Sequence, residues 1–208
     1  MPLLCLYQYS STEFKLYIPI YASRKLKYIL NDYKYDGCYN MHILFRYIRI
    51  WRSRMKIEKH IKETFVVIGK EGSTMDGQGF IQKLWEDANS HFSEVQALAK
   101  KDENGNLIGI WGAMSDYTHS FKPWEENFSK GLYLAGIECT DDAYAPDGWT
   151  KWTIPSYEYL CVEVESESTF LDVLDYLNTN SIALVGAVHD FTCPSSGKNY
   201  MYFPIRTL

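Results

Sequence analysis

The chain has 208 residues, of which 46% are apolar and 16% aromatic, and a formal net charge of −5. That supports one well-buried core of ordinary globular composition, and no stretch approaches 18 consecutive apolar residues, so no membrane span is indicated. The apolar opening, Met1-Pro-Leu-Leu-Cys-Leu, lacks the basic n-region and long h-region of a signal peptide.

Charge divides unevenly. Residues 1–54 carry nine Lys/Arg against three Asp/Glu, a net of +6, and nine of the 17 tyrosines; residues 55–208 carry twelve against 23, a net of −11. A basic, aromatic arm suits nucleic acid, but a second composition signal competes with that reading. Val, Ala, Gly, Asp and Glu, all encoded by codons beginning with G, fill 5 of the first 54 positions and 52 of the following 154. Translated AT-rich non-coding DNA has this profile. The expected organisation is therefore a basic, Tyr-rich extension over 1–54 that is not part of the fold, with Met55 as the expected start of a domain over 55–208. No helix-turn-helix is legible in the extension.

Met55-Lys-Ile-Glu-Lys-His reads as a polar first strand leading into the β-branched run Phe65-Val-Val-Ile-Gly69, a buried-strand pattern. Phe80, Ile81, Leu84, Trp85, Ala88, Phe92 and Val95 recur at helical spacing over about four turns. A polar turn containing the step Asn104-Gly105 precedes a second strand over 107–115, and a third strand runs from Leu132 to Thr140. After the Asp/Pro/Gly loop 141–148, Tyr157–Glu165 alternates as an outer strand with Glu158, Glu163 and Glu165 toward water. Thr169-Phe-Leu-Asp172 has capping-box spacing and opens a helix whose face is Phe170, Val173, Leu174 and Leu177. Ala183–Val188 and Tyr200–Ile205 are expected to form a hairpin around Pro194-Ser-Ser-Gly197. The same βαββ pattern thus occurs twice.

The marks Phe65-Val-Val-Ile-Gly69, Tyr133-Leu-Ala-Gly-Ile-Glu138, Ile154-Pro-Ser-Tyr-Glu-Tyr159, His189-Asp190 after Gly186, and Tyr202-Phe-Pro-Ile205 make residues 55–208 resemble the GyrI-like domain. This is the effector-binding domain that occurs alone in bacteria and at the C-terminus of some AraC- and MerR-type transcription activators. The resemblance implies an α+β fold of two βαββ units related by a pseudo-twofold, an antiparallel sheet with helices on one side, and a ligand cleft. In multidrug-responsive members aromatic walls and a buried carboxylate bind lipophilic cations. A branch of stand-alone members hydrolyses strained cyclopropane-containing alkylating natural products with a pocket Glu and aromatic side chains. Where many members carry a glutamate after the glycine of the penultimate strand, this chain has Asp190.

A carboxylate held in low dielectric must pair, protonate or bind a cation, which makes Asp190 and Glu138 the candidate ligand-binding carboxylates. In an enzyme the same two would be the candidate general acid or base. Trp111, Trp124, Tyr133, Tyr200 and Tyr202 are the candidate ligand walls, and Trp111 gains space from its neighbouring glycines. Trp85 reads as core, and Trp149 and Trp152 as a lid or a packing staple. Alternation sets His189 on the opposite sheet face from Asp190. The five cysteines are odd in number and widely spaced, without a CxxC or Cys/His cluster. That indicates neither a disulfide framework nor a zinc site and fits reduced thiols in a cytoplasmic protein. The glycine-rich loop 71–79 lacks a phosphate-binding signature, and no serine has a GxSxG context. The expected partner is a lipophilic, cationic or alkylating small molecule, with no cofactor, no metal, no membrane and no nucleic acid for 55–208. Binding module and hydrolase both remain open, because both need the same pocket.

Overall fold

The computed structural model describes residues 55–208; the basic extension 1–54, with every expectation made for it, lies outside the described residues. Eight strands form one antiparallel sheet: β1 (Ile57–Lys62), β2 (Phe65–Ser73), β3 (Ile110–Ser115), β4 (Leu132–Cys139), β5 (Thr150–Ile154), β6 (Tyr157–Glu163), β7 (His189–Thr192) and β8 (Asn199–Thr207). Two helices cross over, α1 (Phe80–Ser90) between β2 and β3 and α2 (Thr169–Thr179) between β6 and β7. The strand order is β1-β6-β8-β7-β3-β4-β2-β5.

That order contains the expected repeat. The trio β3-β4-β2 and the trio β7-β8-β6 are the same arrangement, and they join where Trp111 of β3 faces Phe191 of β7. Each half is preceded by one further strand, and these are exchanged: β1 pairs with β6 of the second half, β5 with β2 of the first.

The exchange dictates the shape of the sheet. Only Glu63 and Thr64 separate β1 from β2, so Lys62 and Phe65 are at most about 11 Å apart along the chain. In a flat sheet the six spacings between those two strands would span roughly 29 Å. The sheet must therefore curl so that the end of β1 comes beside the start of β2. Pro155-Ser156 makes the mirror-image link between β5 and β6, and the two links are tied together. The Thr64 backbone N–H donates to Ser156 Oγ at 2.9 Å, and the two hydroxyls lie 3.0 Å apart.

The curl divides the side chains into two layers. Inside lie Phe65, Val67, Trp111, Leu134, Trp152, Tyr157, Tyr159 and Tyr202. On the outer face Val66, Ile68, Tyr133, Ala135 and Ile137 pack with Ala88 of α1. Glycine permits a close approach of two strands: Gly69 and Gly136 are cross-strand partners on β2 and β4, and a Cβ on Gly136 would come within 2.3 Å of the Ile68 carbonyl oxygen. On the other half Phe170 of α2 stacks on Phe203 of β8, with ring centroids 5.9 Å apart.

Several local expectations change. The first helix ends at Ser90, and its apolar series continues through the 3-10 turns Phe92–Glu94 and Gln96–Leu98. The Ser90 hydroxyl and the His91 backbone N–H both donate to the Asp87 carbonyl, which closes the helix. Thr169 is the first residue of α2 rather than its cap, with its hydroxyl taken by the Ser166 backbone N–H. A capping box does form, at Ser73 and Asp76. Residues 183–188 are not a strand: Val185 and Ala187 make single bonds to the carbonyls of Pro204 and Phe121, and Pro204 has no N–H with which to extend the β7–β8 ladder. Nor is β6 an outer strand, since β1 covers it, and Glu158 pairs with Lys59 and Arg206 instead of facing open water. Among the described residues no helix is long and apolar enough to cross a membrane.

If the glycine pair permits this approach, Gly136→Ala forces its new methyl against the facing backbone and should destabilise the fold by about 1–3 kcal/mol, the usual cost of overpacking. Urea denaturation measures this. An unchanged midpoint would show that the strands separate there without penalty.

Candidate functional site

Strand parity decides which side chains share the inner face. On β4, Leu132, Leu134 and Glu138 point inward while Tyr133, Ala135 and Ile137 point toward α1. On β3, Trp111 points inward, and its register partner Phe191 on β7 does the same. On β8, Tyr202 and Tyr200 are inward and Phe203 is outward.

A cleft of about 270 Å³ remains on the inner face, lined in part by Trp111, Glu138, Phe191 and Tyr202. The three rings form a continuous wall: Trp111 to Phe191 is 4.6 Å between centroids, Trp111 to Tyr202 5.2 Å, and Phe191 to Tyr202 5.4 Å. Glu138 is 2% exposed. Its Oε2 accepts a hydrogen bond from Trp111 Nε1 at 3.0 Å. Lys62, at the end of β1, completes the arrangement with its Nζ 3.0 Å from Oε2 and 3.1 Å from Oε1 of Glu138. This pair joins β1 to β4, strands that are neighbours only because the sheet curls. A bare Cα at Gly109 gives the indole room, since a Cβ there would lie 2.4 Å from Trp111 Nε1.

Of the residues singled out from the sequence, Trp111, Glu138 and Tyr202 come together in this cleft. Tyr200 packs beside it, 6.2 Å from Phe191 between ring centroids, without lining it. Asp190, Tyr133 and Trp124 do not share it. Asp190 is one residue from Phe191, so alternation turns it to the helix side, where the Tyr133 hydroxyl donates to it at 3.2 Å and accepts from Trp85 Nε1. Burial pushes its carboxyl up to about 6, against the opposing effect of the Tyr133 hydrogen bond. Trp124 donates from Nε1 to the Leu132 carbonyl and packs with the helix-side core. Trp149 and Trp152 are packing residues, each with its indole N–H donated to a glutamate, Glu94 and Glu71 respectively.

Sequence reasoning missed Lys62, Phe191, His60 and Ile61, which also border the cleft. Phe191 carried a signal, because an aromatic one residue from Asp190 must lie on the other face. Lys62 carried none, since a lysine ending a polar strand is normally solvated. His189 is wholly buried on the inner side, with Nδ1 accepting from the Met114 backbone N–H at 3.1 Å, so Nε2 carries the proton. Burial lowers its pKa to about 3 and keeps it neutral. Among the described residues no three His, Cys, Asp or Glu are grouped to hold a metal ion.

No family model matches the chain, and no curated protein does. Solved structures do. EcmrR, in a complex with DNA, superposes with a TM-score of 0.54 at 6% identity, covering 91% of this chain and 70% of that one. SAV2435 bound to tetraphenylphosphonium gives 0.49 at 15% identity, covering 73% and 94%. An integron cassette protein from the mobile metagenome of Vibrio cholerae gives 0.46 at 15% identity, covering 73% and 97%. At these identities the likeness is one of fold. The open antiparallel α+β sheet with its helices on one side is the GyrI-like fold expected from the sequence.

Buried His189 and half-buried Asp190 have opposite signs in acid. His189 has a folded value of about 3, below the usual 6.5, so the unfolded chain takes the proton first and stability falls as pH drops from 6.5 toward 3. Asp190 has a folded value of about 6, above the usual 3.8, so its contribution is present below about 4 and lost as pH rises to 6. Between those limits the two offset each other. Removing the offset with Asp190→Asn should make the fall in stability from pH 6 to pH 4 steeper than in the wild type by about 2 kcal/mol. Denaturant titrations at both pH values check this, and parallel pH curves for the two proteins would contradict it.

Proposed function

We propose that residues 55–208 form a sensing or sequestering module for a lipophilic, cationic small molecule, bound in the Trp111–Phe191–Tyr202 cleft with Glu138 as its counter-charge. The observation that carries the proposal is a carboxylate only 2% exposed at the margin of an aromatic-walled cleft. Such a group has a strong requirement for positive charge, and indole and phenol faces attract a cation through their ring quadrupoles. Ring stacking supplies the apolar part of the affinity. The cleft's volume is close to the lower end of the range for small-molecule sites and suits a compact, flat aromatic better than a polymer.

Binding is favoured over hydrolysis. A buried carboxylate beside aromatic rings suffices to hold a cation, whereas a general acid or base also needs a water or substrate atom placed within hydrogen-bond reach. The fold shared with EcmrR, seen in a DNA complex, supports a connection to transcription regulation through an effector-sensing role. With a net of −11, residues 55–208 are electrostatically unsuited to contact phosphates themselves.

N-methylacridinium is a suitable cationic probe and acridine its neutral counterpart at about pH 8. N-methylacridinium should quench tryptophan fluorescence on binding. Glu138→Gln should weaken it by about 1–3 kcal/mol, the loss expected for a buried charged hydrogen-bonding partner. Trp111→Phe should retain binding with less quenching. Affinity for the cation unaffected by Glu138→Gln would remove that carboxylate from the site.

A further inference from the structure

We propose that Lys62 is the residue that sets the charge specificity of the cleft: its ammonium is a resident cation, which a cationic ligand must displace and a neutral aromatic ligand leaves in place. The inference rests on the reading of this cleft as the ligand site and adds to it the basis on which ligands are chosen.

The contacts of Lys62 are those a lipophilic cation would make. Its Nζ lies 3.0 and 3.1 Å from the two oxygens of Glu138, 4.3 Å from the centre of the Phe65 ring and 5.3 Å from that of Trp111. A carboxylate below and aromatic faces beside it are the elements of a cation–π site. One protein cation therefore fills the place that the cleft offers to a ligand's charge. Among the residues lining the cleft, only His60 could add a second positive charge, and its Nε2 is turned to Glu58 at 3.4 Å.

The two members of the pair differ in freedom. Glu138 is 2% exposed, hydrogen-bonded to Trp111, and on the fully buried strand β4. The Lys62 side chain is 24% exposed and belongs to β1, an edge strand of the sheet. A four-carbon stem at that position can carry its ammonium into water with little change in the backbone. Glu138 is thus the fixed half of the pair and Lys62 the exchangeable half. With Lys62 in place the cleft is locally neutral, so a second cation meets like charge at short range. An uncharged aromatic enters the cleft beside the partly buried Phe191 without disturbing the pair.

Isothermal titration calorimetry on the full chain at about pH 8 tests this, with N-methylacridinium and acridine as probes of nearly equal shape. Lys62→Met keeps the stem and removes the charge, and it should bind N-methylacridinium about tenfold or more tightly than the wild type while changing acridine by less than about threefold. Lys62→Arg keeps a cation and should remain within about threefold of the wild type for both probes. A second measurement needs no variant: acetylation of Lys62, followed by mass spectrometry, should accelerate when N-methylacridinium saturates the wild-type protein and remain unchanged with acridine. That arm carries the test if Lys62→Met does not fold. An equal gain for both probes, or no gain together with unchanged acetylation, overturns the role of Lys62 and leaves the ligand site standing. Failure of both probes to bind wild type and variant alike takes down the ligand site itself, and this inference with it.

Discussion

Two links of two residues each, Glu63-Thr64 and Pro155-Ser156, determine the form of the molecule. They connect strands that stand six places apart in the sheet, so the sheet cannot be flat. From that constraint follow the aromatic inner layer and the meeting of Lys62 with Glu138. The ion pair joins edge strand β1 to β4 across the curl and lies beside the residues that would hold a ligand. Structural closure and the electrostatic character of the cleft are thus the same contact viewed from two sides.

The pseudo-twofold explains why the cleft lies where it does. Trp111 and Phe191 face each other where the two halves join, and the inner aromatic wall is continuous across that seam. The halves have diverged in chemistry while retaining their topology. The first supplies the buried carboxylate on β4, and the second supplies Tyr202 on β8, so an apolar ring and a charge face one cleft. Asp190 belongs to a different network on the helix side, with Tyr133 and Trp85, where it contributes to the core's response to acid.

Much of the fold was legible because it is local. The β-branched run at Phe65, the helical spacing from Phe80, and the alternation of β6 each need only a few residues of context. Trp111 and Glu138 were legible for the same reason: flanking glycines give the indole room, and a glutamate within an apolar strand has few comfortable places. Asp190 shows the limit. Alternation correctly separated it from His189, but which face is the cleft depends on the Trp111–Phe191 register, a contact between residues far apart in the chain. Lys62 was illegible for a stronger reason, since its partner is brought near only by the closure of the whole sheet. The strand at 183–188 failed because a β-rich composition does not reveal that Pro204 will deny it a ladder.

The central claim is that a ligand's charge is met by Glu138 against the Trp111–Phe191–Tyr202 wall. A crystal structure of the protein with N-methylacridinium tests it most directly. The account predicts the ring system in the cleft against Phe191 and Tyr202, its charged nitrogen within about 5 Å of the Glu138 carboxylate, in the range of a direct charge contact, and the Lys62 ammonium turned out toward solvent. The dye seated on the helix side beside Asp190 and Trp85, with the Lys62–Glu138 pair undisturbed, would contradict it.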